Sequence, residues 1–394
     1  MSTTIERAKV EVGADTTGLA TGLAQARRMV GRFAGQTARR ISNLLGNVGG
    51  GLTAITGLGA VGGLALAAND SLAFEDGLTR IAIQANATAA ETDVLRQSMS
   101  RTATEFGLSR RMVLGGVDAL VNLQGASAAT PENIELIGKA MAATGADARD
   151  LAGTMFSLQD TFDLDASELE ATLSGITAQG KAASIPLAEL ATTLQQQASN
   201  LVDLTGQGTE GAAKTVAVLQ VLRKGFGSAT EAGTGAKAIG NAFKGNAAKL
   251  RKFGVEVYRM EGGKKVFRDI RDIITDIGES KLAKNPTLLA KTLGSSEAET
   301  AVRVLSRNLD VYDDLVEAGR QHDTIQRDAN KYMSSAVGRQ KAAIAKLKET
   351  IEGVFTPETI EGFAIALEAA VKWAGQLLDT FLEVAEAIGP LRDA

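Results

Sequence analysis

Apolar residues recur along most of this chain at helical spacing. Leu19, Leu23, Ala26, Val30 and Phe33 follow one another at steps of four and three. That spacing aligns them in one seam along a helix. Asp15 and Thr16 supply N-cap chemistry in front of it. Ahead of them, residues 5–12 alternate loosely, with Val10 and Val12 on one face, as a short strand does. Residues 1–40 therefore read as a short strand and an amphipathic helix, and Leu19, Leu23, Val30 and Phe33 as one side of a candidate oligomer seam.

From residue 71 the chain becomes a punctuated series of helices. Residues 72–84 carry Leu78 and Ile81, and a helix from 90 ends near Gly107. Ser109 can cap a helix with Val113, Val117, Leu120 and Val121 on one face. Thr130, Pro131 and Glu132 combine a cap, a proline at the first helical position and an acid in the first turn. Asp147 precedes Leu151, Met155, Leu158 and Phe162. Asp165 with Glu168 has the spacing of a capping box before Leu169, Leu173 and Ile176. Ser184 and Pro186 open a helix with Leu190, Leu194 and Leu201. Short loops predict that neighbouring helices pack antiparallel.

One stretch breaks this rhythm. In residues 253–267, FGVEVYRMEGGKKVF, Val255 and Val257 alternate with polar residues, Gly262-Gly263 can turn, and Val266 resumes. That pattern predicts a small β-hairpin. An Ile-rich helix follows through Ile270, Ile273, Ile274 and Ile277, and Ser296-Glu297 starts another through Val302 and Leu305. From about Tyr332 the period lengthens. Ile344, Leu347, Ile351 and Phe355 form a stripe, and Thr356-Pro357-Glu358 restarts the helix. Ile360, Leu367, Val371, Leu378, Phe381 and Ile388 then fall at multiples of the four-three step. They form a second candidate oligomer seam, or the buried face of a single helix packed on the core.

The expected fold is mainly α. A multi-helix domain over 71–330 carries one small hairpin, flanked by a long N-terminal helix and by long C-terminal helices over 331–394 with coiled-coil-like seams.

Between these parts lies a different segment. No charged residue occurs between Arg40 and Asp70. Its apolar members are Leu44, Leu45, Val48, Leu52, Ile55, Leu58, Val61, Leu64 and Leu66. A membrane span needs ~20 predominantly apolar residues, so 41–70 is long enough. Glycines dilute it, and the Gly46/Gly50 and Gly59/Gly63 pairs have the spacing that lets helix backbones approach closely. In water each glycine costs ~1 kcal/mol within a helix relative to alanine. The segment is thus a candidate membrane or channel helix, or a glycine-rich linker tucked against the core.

Composition narrows the chemistry. Aromatic residues are 4% of 394, so the core is aliphatic. There is no cysteine and one histidine, which excludes thiolate and histidine-cluster metal sites. The net charge of −4 does not indicate DNA wrapping. No phosphate-binding loop, dinucleotide fingerprint or nucleophile elbow occurs. The N-terminus has no apolar signal core. His322 reads as part of a polar helical face, Trp373 as a core or interface anchor, and Lys244, Lys249, Arg251 and Lys252 as a solvated basic face. No catalytic, cofactor-binding or metal-ligating residues are expected.

The order of several motifs adds to this reading. EFGLSRRMVLGGVDALVNLQGA at 105–126 is followed by DLDASELEATLSGITAQGKAASIPLAELA at 163–191. Then come LRKFGVEVYRMEGGKKVFRDIRDII at 250–274 and LGSSEAETAVRVL at 293–305. Over about 72–305 this series resembles the core of the phage tail tape measure protein family. The resemblance implies a structural protein of the virion tail, lying in several copies in the tube lumen and helping to set tail length and template tube assembly. It implies tail tube protein, tail assembly chaperones and baseplate or tail-tip hub proteins as partners, in the host cytoplasm before assembly. It also implies that apolar segments enter the host membrane during genome ejection. A reading independent of the resemblance is a membrane-active pore former or translocator outside any tail.

Overall fold

The computed structural model describes residues 59–352 except 184, with side-chain surroundings for 70–346 and 349. These residues form fifteen α-helices and one two-stranded antiparallel sheet, the mainly α class that the spacing predicts. Residues Leu72–Glu349 form one compact unit.

The first helices are α1 (Gly59–Ala85), α2 (Ala89–Glu105), α3 (Arg110–Gln124), α4 (Pro131–Thr144), α5 (Ala148–Phe162) and α6 (Ala166–Ala182). Then come α7 (Leu187–Thr205), α8 (Gly208–Arg223) and α9 (Ala229–Arg251). Strands β1 (Tyr258–Glu261) and β2 (Lys264–Phe267) follow. The rest are α10 (Ile270–Glu279), α11 (Pro286–Leu293), α12 (Ser296–Arg307), α13 (Leu309–Ala318), α14 (Thr324–Ser334) and α15 (Ala336–Glu352).

Local chemistry sets most boundaries. Ser109, Thr130 and Asp147 each accept a hydrogen bond from a first-turn backbone N–H of the helix that follows. Thr88/Glu91 and Asp165/Glu168 close reciprocal capping boxes. The backbone N–H of Thr88 holds the Glu91 carboxyl below its usual range, and the Ser167 hydroxyl, then the Glu168 N–H, do the same for Asp165. Helices α4 and α11 end on glycines in the left-handed conformation, Gly145 and Gly294.

The helices form two rows. In one, α3, α5, α7, α9 and α12 pack side by side; in the other, α2, α4, α14, α6 and α13 do. Consecutive helices also touch, but the widest interfaces join helices that are not consecutive, such as α3 with α5 and α4 with α14. A simple up-and-down bundle is therefore not what forms. Burying a helix's stripe therefore requires partners two steps or more away in sequence.

Helix α8 lies where the rows meet and packs against α5, α6, α7, α9, α12 and α13. Thr215 through Leu222 are buried without interruption. A helix apolar on all sides has no exposed stripe and no 3.6-residue signature. For that reason its sequence, GAAKTVAVLQVL, shows none of the periodicity that marks its neighbours. The core around it is aliphatic, with Phe162 and Phe243 among its few large aromatics.

Three expectations change. Helix α1 starts at Gly59, not near Leu72, so one helix joins the end of the uncharged segment to the charged residues Asp70, Glu75 and Asp76. The hairpin is shorter than 253–267: its register pairs Tyr258 with Phe267 and Glu261 with Lys264, and Val255 and Val257 are buried ahead of it. Gly262 and Gly263 have φ of 54° and 78°, the all-positive geometry of a type I′ turn. His322 lies in the turn between α13 and α14, because α13 ends at Ala318 and α14 starts at Thr324.

Close backbone contact fixes the row junction. A Cβ at Gly175 in α6 would collide with the carbonyl oxygen of Gly319 just after α13. Gly245 in α9 has open space around its Cβ position. In urea unfolding, Gly175→Ala is expected to destabilise by about 1–3 kcal/mol despite alanine's better helix propensity. Gly245→Ala is expected to be neutral or stabilising by up to ~1 kcal/mol. Equal effects at the two positions would show that the α6–α13 contact is slack.

Candidate functional site

Among the described residues, no group of three or more His, Asp or Glu stands close enough to hold a metal ion. A set of buried polar groups converges instead around α8. Gln220 is fully buried and closes a two-bond ring with the backbone of Ile185: the Ile185 N–H donates to Oε1 at 2.8 Å, and Nε2 donates to the Ile185 carbonyl at 2.6 Å. The ring pins the chain between α6 and α7, where the backbone has no helical partner of its own. Gln179 of α6 donates through Nε2 to the carbonyls of Ala213 at 2.8 Å and Leu315 at 2.9 Å. One amide thus ties α6, α8 and α13. Thr205 and Thr215 share a buried hydroxyl hydrogen bond of 2.8 Å between α7 and α8. Unpaired buried polar groups cost ~1–3 kcal/mol each, so these pairings select one register for the hub helix.

The hub is joined to the hairpin region by charge. Lys214 of α8 donates to Asp269 Oδ2 at 2.7 Å and lies 3.1 Å from Glu210. Burial lowers the Lys214 pKa, but Asp269 and then Glu210 outweigh it and raise the pKa above the usual lysine value. The other oxygen of Asp269 accepts from Arg271 N–H at 2.9 Å and caps α10. Arg268 reaches both the Glu256 carbonyl at 2.9 Å and Asp276 at 2.5 Å, holding the base of the hairpin on α10. Tyr258 and Phe267 pack with ring centroids 4.4 Å apart across the first rung. A kink at Asn246 lets its amide donate to the Leu293 carbonyl at 2.8 Å, which docks the end of α11 on α9.

The structure places few of the residues singled out by sequence. Leu44, Leu45, Val48, Leu52, Ile55, Leu58, Gly46 and Gly50 lie outside the described residues, as do the seam residues Leu19, Leu23, Val30, Phe33, Ile360, Leu367, Val371, Leu378, Phe381 and Ile388, and Trp373. Gly59, Val61, Gly63, Leu64 and Leu66 fall in the first turns of α1. Among the described residues no helix is long and apolar enough to cross a membrane. In the basic cluster, Lys244 pairs with Asp203 and Arg251 with Glu256, while Lys249 and Lys252 are exposed. His322 is exposed.

Residues 96–287 match a family described as phage-related minor tail protein. The core of this chain is thus similar to phage tail proteins. Over 169 residues it is 28% identical to the "Probable tape measure protein" of Burkholderia phage BcepMu (isolate -/United States/Summer/2002). That alignment covers 43% of this chain and 20% of the phage protein, so the chain spans only a small part of its relative's length. No solved structure matches the chain. The matched residues run from within α2 to the start of α11 and so contain the hub helix and the hairpin. The matched region and the α8 packing centre therefore coincide.

What sequence reasoning missed is α8 and its polar partners. Gln179 and Gln220 look like ordinary surface glutamines until the helix between them is seen to be buried on every side. Asp269 offers a direct test of the cap on α10. Asp269→Asn keeps an oxygen to cap α10 but removes the charge facing Lys214, whereas Asp269→Ala removes both. Thermal unfolding is expected to show the alanine variant less stable than the asparagine variant by ~1 kcal/mol, the usual value of a cap. Equal stabilities would remove the capping role.

Proposed function

We propose that the protein is a structural component of a phage or prophage-derived tail and not an enzyme. In this reading it lies in the tube lumen in several copies, helps to set tail length and templates tube assembly. The observation that carries the reading is the match of residues 96–287 to the minor tail family, over the region that folds around α8. Tail tube protein, assembly chaperones and baseplate or tail-tip hub proteins are the partners that such a role requires. Because Leu72–Glu349 is a compact unit, length in a ruler comes chiefly from the segments that flank it. In-frame deletions or duplications within 335–390 are expected to change tail length in electron micrographs by ~1.5 Å per residue, the helical rise. Unchanged tails would remove the ruler role.

A second activity is favoured by one observation, the lack of charge between Arg40 and Asp70. In this reading the segment enters the host membrane when the tail contents are ejected. Liposomes loaded with a fluorescent dye are expected to leak with the wild-type protein. Leakage should fall when Gly59→Lys and Gly63→Lys are introduced together. Absence of wild-type leakage, or leakage indifferent to the double change, would contradict membrane entry.

A further inference from the structure

The net charge of −4 hides a segregation of charge. From Lys237 to Lys291 the chain carries thirteen Lys and Arg against six Asp and Glu, a net of +7, so the rest of it carries −11. The fold gathers much of this excess around the end of α9. No acid occurs between Glu231 and Glu256, and Lys237, Lys249 and Lys252 in that stretch are exposed. The hairpin stands beside them. Lys244 of α9 lies 5.9 Å from the centre of the Phe267 ring, and Lys265 lies 4.0 Å from that of Tyr258. Lys264 is exposed at the turn end of β2. The bond from the Asn246 amide to the Leu293 carbonyl docks α11, with its exposed Lys291, on the same helix.

Ion pairing sorts these charges. The arginines take acids: Arg251 pairs with Glu256 at 3.0 Å, Arg259 with Glu261 at 2.9 Å and Arg268 with Asp276 at 2.5 Å. Lys214 takes Asp269. Of the six acids Asp272 and Glu279 are left over, both on α10. Lys237, Lys249, Lys252, Lys264, Lys265 and Lys291 make no ion pair among the described residues. Six exposed and unneutralised lysines form a surface for a polyanion. Its chemistry selects which one. Protein interfaces are depleted in lysine and centre on aromatic anchors, but the Tyr258 and Phe267 rings here each face a lysine. Single-stranded nucleic acid needs free rings for its bases to stack on, which the same lysines deny it. Met260 is the one large apolar side chain exposed in this stretch among the described residues, too little for burial in lipid. A duplex, by contrast, is held by cations on its phosphates. Lys237 to Lys252 extends ~22 Å along α9, roughly six base-pair steps. We propose that this lysine surface binds duplex nucleic acid through its phosphates, without reading sequence. Nothing in this assignment depends on the tail role.

Fluorescence anisotropy of the full chain with a short labelled DNA duplex tests this. Affinity is expected to be indifferent to base sequence and to fall with salt. Six phosphate contacts give a slope of log affinity against log salt of about −5. Lys249→Gln, Lys252→Gln, Lys264→Gln and Lys291→Gln combined should make that slope shallower by about 3–4. A control with Arg101→Gln, Arg111→Gln, Arg149→Gln and Lys331→Gln removes the same charge at exposed positions elsewhere and should move the slope by less than about one. None of these eight side chains makes an ion pair or hydrogen bond among the described residues, so both variants should melt with the wild type. Absence of duplex binding at low salt, or equal losses in the two variants, would overturn the assignment. Polyglutamate bound as tightly as the duplex, charge for charge, would give the surface to an acidic protein instead. A four-lysine variant that loses phosphatidylserine vesicles but keeps the duplex would give it to a membrane.

Discussion

The structure depends on the burial of one helix, unbroken from Thr215 to Leu222. Helix α8 is surrounded by six others, and each contact removes apolar surface from water at roughly 25 cal/mol per Å². A helix buried on all sides cannot be positioned by a single stripe. Its register is selected by the few groups that cannot go unpaired: Gln220 with the Ile185 backbone, Gln179 with Ala213 and Leu315, and Thr215 with Thr205. Small residues complete the arrangement, because Gly175 lets α6 reach the backbone at Gly319 without a side chain between them. Hydrophobic burial thus supplies the stability, and a sparse polar set supplies the specificity.

This explains which parts of the fold were legible in the sequence. Helices at the protein surface announce themselves twice, by a stripe and by a cap. Thr130-Pro131-Glu132 and Asp165/Glu168 do so, and both caps are found. The hairpin was legible because only the Gly262-Gly263 pair supplies two positive φ angles at no steric cost. The hub helix was not legible, since all-round burial erases the period that marks a helix. Its partners were hidden for the same reason, and a glutamine's role depends on what the fold places opposite its amide. Row packing was also hidden, because short loops specify who follows whom and not who shares a stripe.

His322 shows the same limit from another side. It was visible as the lone histidine, but its place in a turn depends on α13 ending at Ala318. The proposed tail role rests on the family match and on the order of motifs across the same residues.

The central claim is that Leu72–Glu349 stands as one unit because α8 is locked in place. Native-state hydrogen exchange measures this directly. The account predicts that amides of Thr215 through Leu222 exchange only through global unfolding and are the slowest in the chain, with those of the hairpin tip at Gly262 and Gly263 far faster. Exchange of the α8 amides through a local opening well below the global unfolding free energy would contradict it.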